Sequence, residues 1–486
     1  MVGPQHYQAL FEPRGVVVAG AATHPGKFGF SAFHNIRANG YAGALFGTNL
    51  EAEPVLGEAT YRDLRSVPDA DIDLLVLCVP GRASEGLLRQ AAERGVRAAF
   101  SAAAGYAEAG DEGRRAQDEL VALADELDLL LVGPNGQGLI STPARLCAQI
   151  VAPYPPTGSI GIASQSGGLV SAFGNWARLS GVGVSRAVSA GNSAQVGVVD
   201  FLEFYATDPV TEVGLVYVED LSDPHVFERL DQVCRQMPVV ALRGGATEPV
   251  QRAVAAHTGS RPSAVADVDR ALGDAGVTVA HSVPEAFRLA ATFATQPLPR
   301  GPRTLVFGTA GGWGVLTGDA VATSELELAH LSDGLIAEVD ARVPPRWSRG
   351  NPIDLAGGET RDTIPELLPI LAADPDIDAI VYLGLGIQSN QADLLRSGGF
   401  AEQHGLDRII EYHERQDTRF ARAAHEASTQ ADKPVLTSTE LAVAMPTNAG
   451  PAEVRATGRF CHASGDEAVT ALEALWRYAR WCRSRS

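Results

Sequence analysis

One pattern recurs three times along this chain and limits its architecture more than any other feature. A short β-branched run enters a glycine- or serine-rich turn and continues into a helical segment. It reads VVVAGAATHPGKFGFSAF at 16–33, SIGIASQSGGLVSAFGNWA at 159–177 and TLVFGTAGGWGVLTGDAVA at 304–322. A strand, a tight turn and a helix in that order open a parallel-sheet α/β domain, so three such domains are expected. Pro-rich breaks, APYPPTG at 152–158 and QPLPRGPR at 296–303, read as linkers between them. The expected domains are therefore 1–150, 151–298 and 299–486, and 486 residues are too many for one core.

The remainder of each block fits the same reading. In the first, LLVLCVP (74–80), RAAFSAA (97–103) and DLLLVGP (128–134) are expected strands, separated by helical patterns such as SEGLLRQAAERG. In the second, VGLVYVE (213–219) and MPVVALRG (237–244) are strands, followed by a glycine-rich loop and the helix ADVDRALGDAG. In the third, IDAIVYLGLG (377–386) and KPVLTST (433–439) are strands, and EALWRYARWCRSR is a terminal helix. The polar stretch 387–432 is expected to be an exposed helical insertion.

Charge and cysteine content narrow the function classes. A formal charge of −19 argues against general affinity for nucleic acid or an anionic membrane. It leaves room for a phosphate-bearing ligand, because backbone amides at a helix start hold phosphate without net positive charge. The five cysteines are scattered without CxxC spacing, which reads as reduced thiols in a cytoplasmic protein, with no disulfide framework and no metal site. The N-terminus lacks the basic segment and apolar run of a signal peptide. Apolar runs such as LLVLCV have strand length, too short to span a bilayer.

Three places could carry chemistry. The turn from Gly20 to Gly29 follows a strand and opens a helix; its glycines admit a pyrophosphate and Lys27 adds a charge. Its spacing is not the dinucleotide GxGxxG, and a turn needed only for packing explains the loop as well. Ser164-Gln165-Ser166-Gly167-Gly168 holds the same place in the second domain, reading either as an anion cradle or as a serine cap with a flexible turn. His257, set among small residues in VAAHTGS, is nucleophilic when neutral and can carry a phosphoryl group. An exposed structural histidine is the plainer reading. Glu219, at the C-terminal end of its strand, could orient one ring nitrogen of a histidine, or could simply face water.

Taken together these stretches resemble the nucleoside-diphosphate-forming acyl-CoA synthetases, relatives of succinyl-CoA synthetase. FEPRGVVVAGAATHPGKFG resembles the opening of the family's CoA-binding domain, and VGPNGQGLI (132–140) its GPNCxG segment. SIGIASQSGGLVSAF, VSAGNSAQVGVVDFLEFYATDP (188–209) and YVEDL (217–221) resemble successive landmarks of the second domain. AAHTGS (255–260) resembles the phosphohistidine loop, while TAGGWGVLTGDA and GNPIDLAGG (350–358) look like the third, ligase-type domain.

The resemblance implies a Rossmann-like CoA-binding domain and two flavodoxin-like ligase domains. It makes His257 the phosphorylated nucleophile and Glu219 its orienting carboxylate. Ser164, Ser166, Gly167 and Gly168 become a phosphate site, and Gly20, Thr23, Gly26, Lys27, Gly29, Val79 and Pro80 become coenzyme A contacts. Asn135, Gly136 and Gln137 fall near the acyl end of the site. Gly136 and Gln137 stand where many relatives carry Cys and a small or apolar residue, and Trp313 stands where smaller residues or Pro are common.

The family binds nucleotide with an ATP-grasp module, and no block of this sequence looks like one. The resemblance therefore implies an α-type subunit whose ATP-grasp β subunit holds ATP or ADP and magnesium, in a hetero-oligomer or homodimer. A carboxylic acid and CoA are the expected substrates. Three rivals remain at this point: an amide-forming or other acyl-transferring paralogue, a CoA-sensing subunit, and an NAD(P)-binding dehydrogenase. The absent GxGxxG spacing weighs against the last.

Overall fold

The computed structural model describes residues 2–150, 153–218, 221, 223–244, 265–358, 360–443, 445 and 447–485. It divides into two compact units, Met1–Arg178 with Gly183–Ala290, and Ala291–Ser486 with Leu179–Val182. The first unit contains two sheets and the second contains one.

The first sheet is formed by β1 (Gly15–Ala19), β2 (Ala44–Thr48), β3 (Thr60–Tyr61), β4 (Leu74–Leu77), β5 (Ala98–Ser101) and β6 (Leu130–Val132). Its order is 3-2-1-4-5-6 and every pairing is parallel. All of Gly15–Ala19 and Leu74–Leu77 is buried, as strands covered by helices on both faces require. The order reverses at β1 and β4, and the loops leaving those two strands frame a crevice where ligands of such sheets bind.

The second sheet is formed by β7 (Leu139–Ser141), β8 (Leu146–Cys147), β9 (Thr157–Ser164), β10 (Val184–Ser189), β11 (Val213–Val218), β12 (Val239–Arg243) and β13 (Thr278–Ala280). The order is 13-12-11-9-10-7-8. Strands β9 to β13 are parallel in the flavodoxin-like arrangement, and the β7–β8 hairpin adds antiparallel to the β10 edge. The order reverses at β9 and β11, which pair from Val213–Ile160 to Tyr217–Ser164.

The helix Pro4–Phe11 joins this unit through aromatic packing. Tyr7 and Phe11 both stack on Phe204, at centroid distances of 4.9 and 5.6 Å. Beneath them the buried Arg186 of β10 donates to Asp208 at 3.0 Å and to Glu12, just past that helix, at 2.5 Å. A buried guanidinium is tolerated because carboxylates face it.

The third sheet, in the second unit, runs β15-β14-β17-β18-β19, with β16 also on β14, and is parallel throughout. Its strands are β14 (Arg303–Gly308), β15 (Glu327–Leu328), β16 (Ile353–Asp354), β17 (Ala379–Tyr382), β18 (Val435–Ser438) and β19 (Cys461–His462). Asn351 fills the gap between β15 and β16: it donates to the carbonyls of Thr304 and Ala329 at 2.8 and 3.0 Å and accepts from Val306 N at 3.0 Å.

The polar stretch after β17 is helical, over Ile387–Ser397, Ala401–His404 and Asp407–Ala431. Only one side of it is exposed. Phe420, Ala423, Ala424 and Ala427 of the long helix are buried in the same core as Leu367 and Tyr382. Among the described residues no helix is long and apolar enough to cross a membrane.

Candidate functional site

The crevice of the first sheet is built by the turn after β1 and the short loop after β4. Gly20 takes φ +87°, and a Cβ there would stand 2.4 Å from the Cys78 carbonyl oxygen, so only glycine lets the two loops meet. Gly29 is buried where the following helix, Phe28–Ala38, leans on the Gly20 carbonyl. Thr23, Gly26 and Lys27 are exposed between them, and Gly26 N donates to His24 Nδ1 at 3.0 Å. Lys27 begins the helix without a side-chain cap, which leaves first-turn N–H groups and a cationic side chain at one spot.

Val79 and Pro80 leave β4 opposite this turn, and a cleft of about 770 Å³ opens beside Pro80 against Arg82, Tyr106 and Leu123. Burial pushes the neighbouring Cys78 thiol up to about 12, so it is no nucleophile at neutral pH. None of the turn residues from Gly20 to Gly29 is among those that line the cleft beside Pro80.

The second sheet presents the turn Ser164–Gly168 at its own switch point. Ser164 is fully buried; its hydroxyl donates to the Ser166 carbonyl at 2.7 Å and accepts from Ser166 N at 3.1 Å. That hydroxyl is spent on shaping the turn. Ser166 and Gly167 are partly exposed and Gly168 is exposed, so they face outward at the start of the helix Gly167–Ser180.

The segment from Gly133 to Gly138 runs between the two sheets and is tied to both. Asn135 N donates to Ala103 O at 2.9 Å, just past β5, and Gly136 N to the O of Ser101, its last residue, at 3.3 Å. On the other side Asn192 N donates to Pro134 O at 2.9 Å, and Gln137 N donates to Ser189 Oγ at 3.0 Å. Asn135 adopts φ +62°, which asparagine tolerates better than most side chains, and donates to Asn192 Oδ1 at 3.2 Å. Gln137 rests directly against Gly167. The structure thus brings together the turn Ser164–Gly168 and Asn135, Gly136 and Gln137.

Ser189 and Asn192 belong to this cluster, although sequence reading gave them no role. They lie at the end of β10 in VSAGNSA, and the signal was available: that strand neighbours β9, so its C-terminal loop opens on the same side. Asn192 also donates to Glu108 at 2.5 Å and to Gln117 at 2.9 Å. Burial would raise the Glu108 carboxyl, yet the bonds from Asn192 and Gly105 hold it below the usual range.

His257 and Glu219 lie outside the described residues. In the third domain, the corresponding helix Gly311–Ala322 starts against a carboxylate: a Cβ on Gly311 would stand 2.6 Å from Asp354 Oδ2. Trp313 lies half-buried over Gly384, at the end of β17. Among the described residues no group of three His, Cys, Asp or Glu side chains is gathered as a metal would need.

Comparisons with known proteins agree with this geometry. Residues 14–141 match a CoA binding domain, 157–293 a succinyl-CoA ligase like flavodoxin domain, and 304–387 a ligase-CoA domain. The chain is 32% identical over 375 residues to the alpha subunit of the ADP-forming acetate–CoA ligase II of Pyrococcus furiosus, covering 77% of this chain and 81% of that one. It is 31% identical to the ADP-forming acetate–CoA ligase I of Archaeoglobus fulgidus, over 77% of this chain and 54% of that protein. A dinucleotide-forming acetyl-coenzyme A synthetase 1 of Ca. Korarchaeum cryptofilum, solved with phosphate and ADP, superposes with a TM-score of 0.84 at 27% identity, covering 99% of this chain and 98% of that one. The chain therefore belongs to the ADP-forming acyl-CoA synthetases, acid–thiol ligases related to succinyl-CoA synthetase, and is of their α-subunit type.

Proposed function

We propose that this chain acts in the cytoplasm as the α subunit of a two-component acyl-CoA synthetase, interconverting an acid, CoA and ATP with acyl-CoA, ADP and phosphate. Residues 1–150 hold CoA, 151–298 carry the phosphohistidine loop, and 299–486 complete the ligase. An ATP-grasp β subunit would bind the nucleotide, which supplies the phosphoryl group and leaves as ADP, together with magnesium, which would offset its charge. His257 accepts that group and delivers it to the acid, with Glu219 holding the ring nitrogen that does not react. The acid leaves this step as an acyl phosphate, whose leaving group is far better than hydroxide, and the CoA thiol then attacks it. Ser166, Gly167 and Gly168 offset charge on the phosphoryl group with outward N–H and hydroxyl groups, and Ser164 holds their turn in shape. Gly20, Thr23, Gly26, Lys27 and Gly29, with Val79 and Pro80, hold CoA, while Asn135, Gly136 and Gln137 border its acyl end.

One observation carries this reading. Strand β11, whose last residue Val218 precedes Glu219 in sequence, pairs Tyr217 with Ser164, the residue that opens the phosphate turn. Two features of the relatives support a separate nucleotide subunit. The Pyrococcus protein is named a subunit alpha, and the Archaeoglobus protein extends well beyond the matched 54% of its length. The test is reconstitution. With an ATP-grasp partner, ATP and magnesium, ADP release should require this chain, an acid and CoA together. Full turnover by this chain without a partner would overturn the two-component reading.

A further inference from the structure

We infer that Glu108, acting through Asn192, fixes the Asn135 side-chain amide so that its oxygen is turned to bound CoA and accepts from an N–H or S–H of its arm. The inference rests on the CoA and acyl-site reading above and adds two positioning residues to it.

Asn135 is exposed, alone within Gly133–Gly138. Its backbone is held from both sides: Asn135 N donates to Ala103 O at 2.9 Å, and Pro134 O accepts from Asn192 N at 2.9 Å. The side chain keeps one freedom that matters chemically. Half a turn of an amide exchanges its acceptor oxygen for its NH2 group with almost no change in shape, so the neighbours decide which end faces which way.

The decision starts at a carboxylate. Glu108 accepts from Gly105 N at 2.6 Å, from Tyr106 N at 3.3 Å and from Asn192 Nδ2 at 2.5 Å. An ionised carboxylate has no proton to give, so Asn192 has to turn its NH2 group that way, in a charge-assisted bond. The same nitrogen donates to Gln117 Oε1 at 2.9 Å, and Ala107 N donates to that oxygen at 3.4 Å. Both N–H bonds of the Asn192 amide are then spent. Its Oδ1 is left for Asn135, whose Nδ2 donates to it at 3.2 Å.

The roles therefore run one way, from Glu108 through Asn192 to Asn135. With its nitrogen drawn toward Asn192, Asn135 turns Oδ1 the other way, and that oxygen has no hydrogen-bond partner among the described residues. An exposed acceptor at the acyl end calls for a donor. The reacting carboxylate, the acyl phosphate and the thioester carbonyl only accept, whereas the arm of CoA carries amide N–H groups and ends in a thiol.

The test is calorimetric titration of the full chain with CoA, for the wild type, Glu108→Gln, and Glu108→Gln combined with Asn192→Asp. In Glu108→Gln the new amide keeps its oxygen on Gly105 N and points its NH2 group at Asn192, which reverses the relay. CoA should then bind about 5-fold or more weaker. Adding Asn192→Asp restores the direction, because a carboxylate there accepts both from the new amide and from Asn135 while Gln117 turns its own amide to donate. Most of the affinity should return. If Glu108→Gln does not fold, Asn192→Ala, which removes the middle of the relay, should weaken CoA to a similar degree. Desulfo-CoA, titrated alongside, tells the two donors apart. Where the donor is an amide N–H the single variants lose affinity for it too, and where the donor is the thiol they bind it like the wild type. Unchanged CoA affinity in the single variants, or a double variant no tighter than Glu108→Gln, overturns the inference while CoA binding still stands. If the wild type does not bind CoA, the site reading falls and takes the inference with it.

Discussion

The Ser164 hydroxyl is turned back onto Ser166, donating to its carbonyl at 2.7 Å and accepting from its N–H at 3.1 Å. The two serines of this turn therefore divide the work between shape and contact. Ser164→Ala should cost about 1–2 kcal/mol in chemical denaturation, because the part-buried Ser166 N–H loses its partner and the Ser166 carbonyl is left with Val170 N alone at 3.4 Å. Ser166→Ala should leave stability within about 0.5 kcal/mol while lowering turnover with the partner. Equal stability losses for both variants would contradict the division.

Lys27 stands at an uncapped helix start beside the Gly20 turn. Lys27→Glu should weaken CoA binding by about 10-fold or more, since it reverses a charge near phosphate. Wild-type affinity should also fall as salt is raised, more steeply than in the variant. Calorimetry at two ionic strengths checks both.

Arg186 and Asp208 form a buried pair, with side chains 3% and 4% exposed. Arg186→Met leaves the Asp208 carboxylate without its counter-charge and should destabilise the first unit by about 3–5 kcal/mol. Restoring neutrality with Asp208→Asn in the same chain should recover part of the loss. A double variant no better than the single one would contradict this account.

Asp417 gives a pH signature for the second unit. Burial raises its carboxyl to about 6, against the bonds it accepts from Gly386 N and Ser389 N. A folded-state pKa above the unfolded value means the native chain binds more protons between pH 4 and 6, so stability falls as pH rises through that window. The loss approaches about 3 kcal/mol for a shift of roughly two units. Denaturation at pH 4.5 and pH 7 should show it, and in Asp417→Asn the difference between the two should shrink.

The three strand–turn–helix openings were legible because each combines a β-branched run with Gly or Ser in a fixed order, and each sits at the reversal point of its sheet. The β7–β8 hairpin was not. Its strands have three and two residues, too few for periodicity, and GPNGQG before it reads as a loop. The helix Asp407–Ala431 looked exposed because Ile410 and Phe420 are the only large apolar residues on its buried face, the rest being alanine or polar, which adds little to a hydropathy pattern. Gln137 could be placed near the acyl end by resemblance. Its seat on Gly167, 30 positions along the chain, depends on two strands meeting in space, which no local pattern encodes.

Phosphorylation of His257 tests the central claim most directly. The chain should be incubated with radiolabelled ATP and magnesium, with and without an ATP-grasp partner. Positioning and charge neutralisation supply most of the catalysis in phosphoryl transfer, so label should accumulate only with the partner. It should be acid-labile and base-stable, as expected of a phosphoramidate. His257→Ala should carry none, and Glu219→Gln should label slowly. Acyl-CoA formation at an undiminished rate by the His257→Ala chain would contradict the phosphohistidine mechanism.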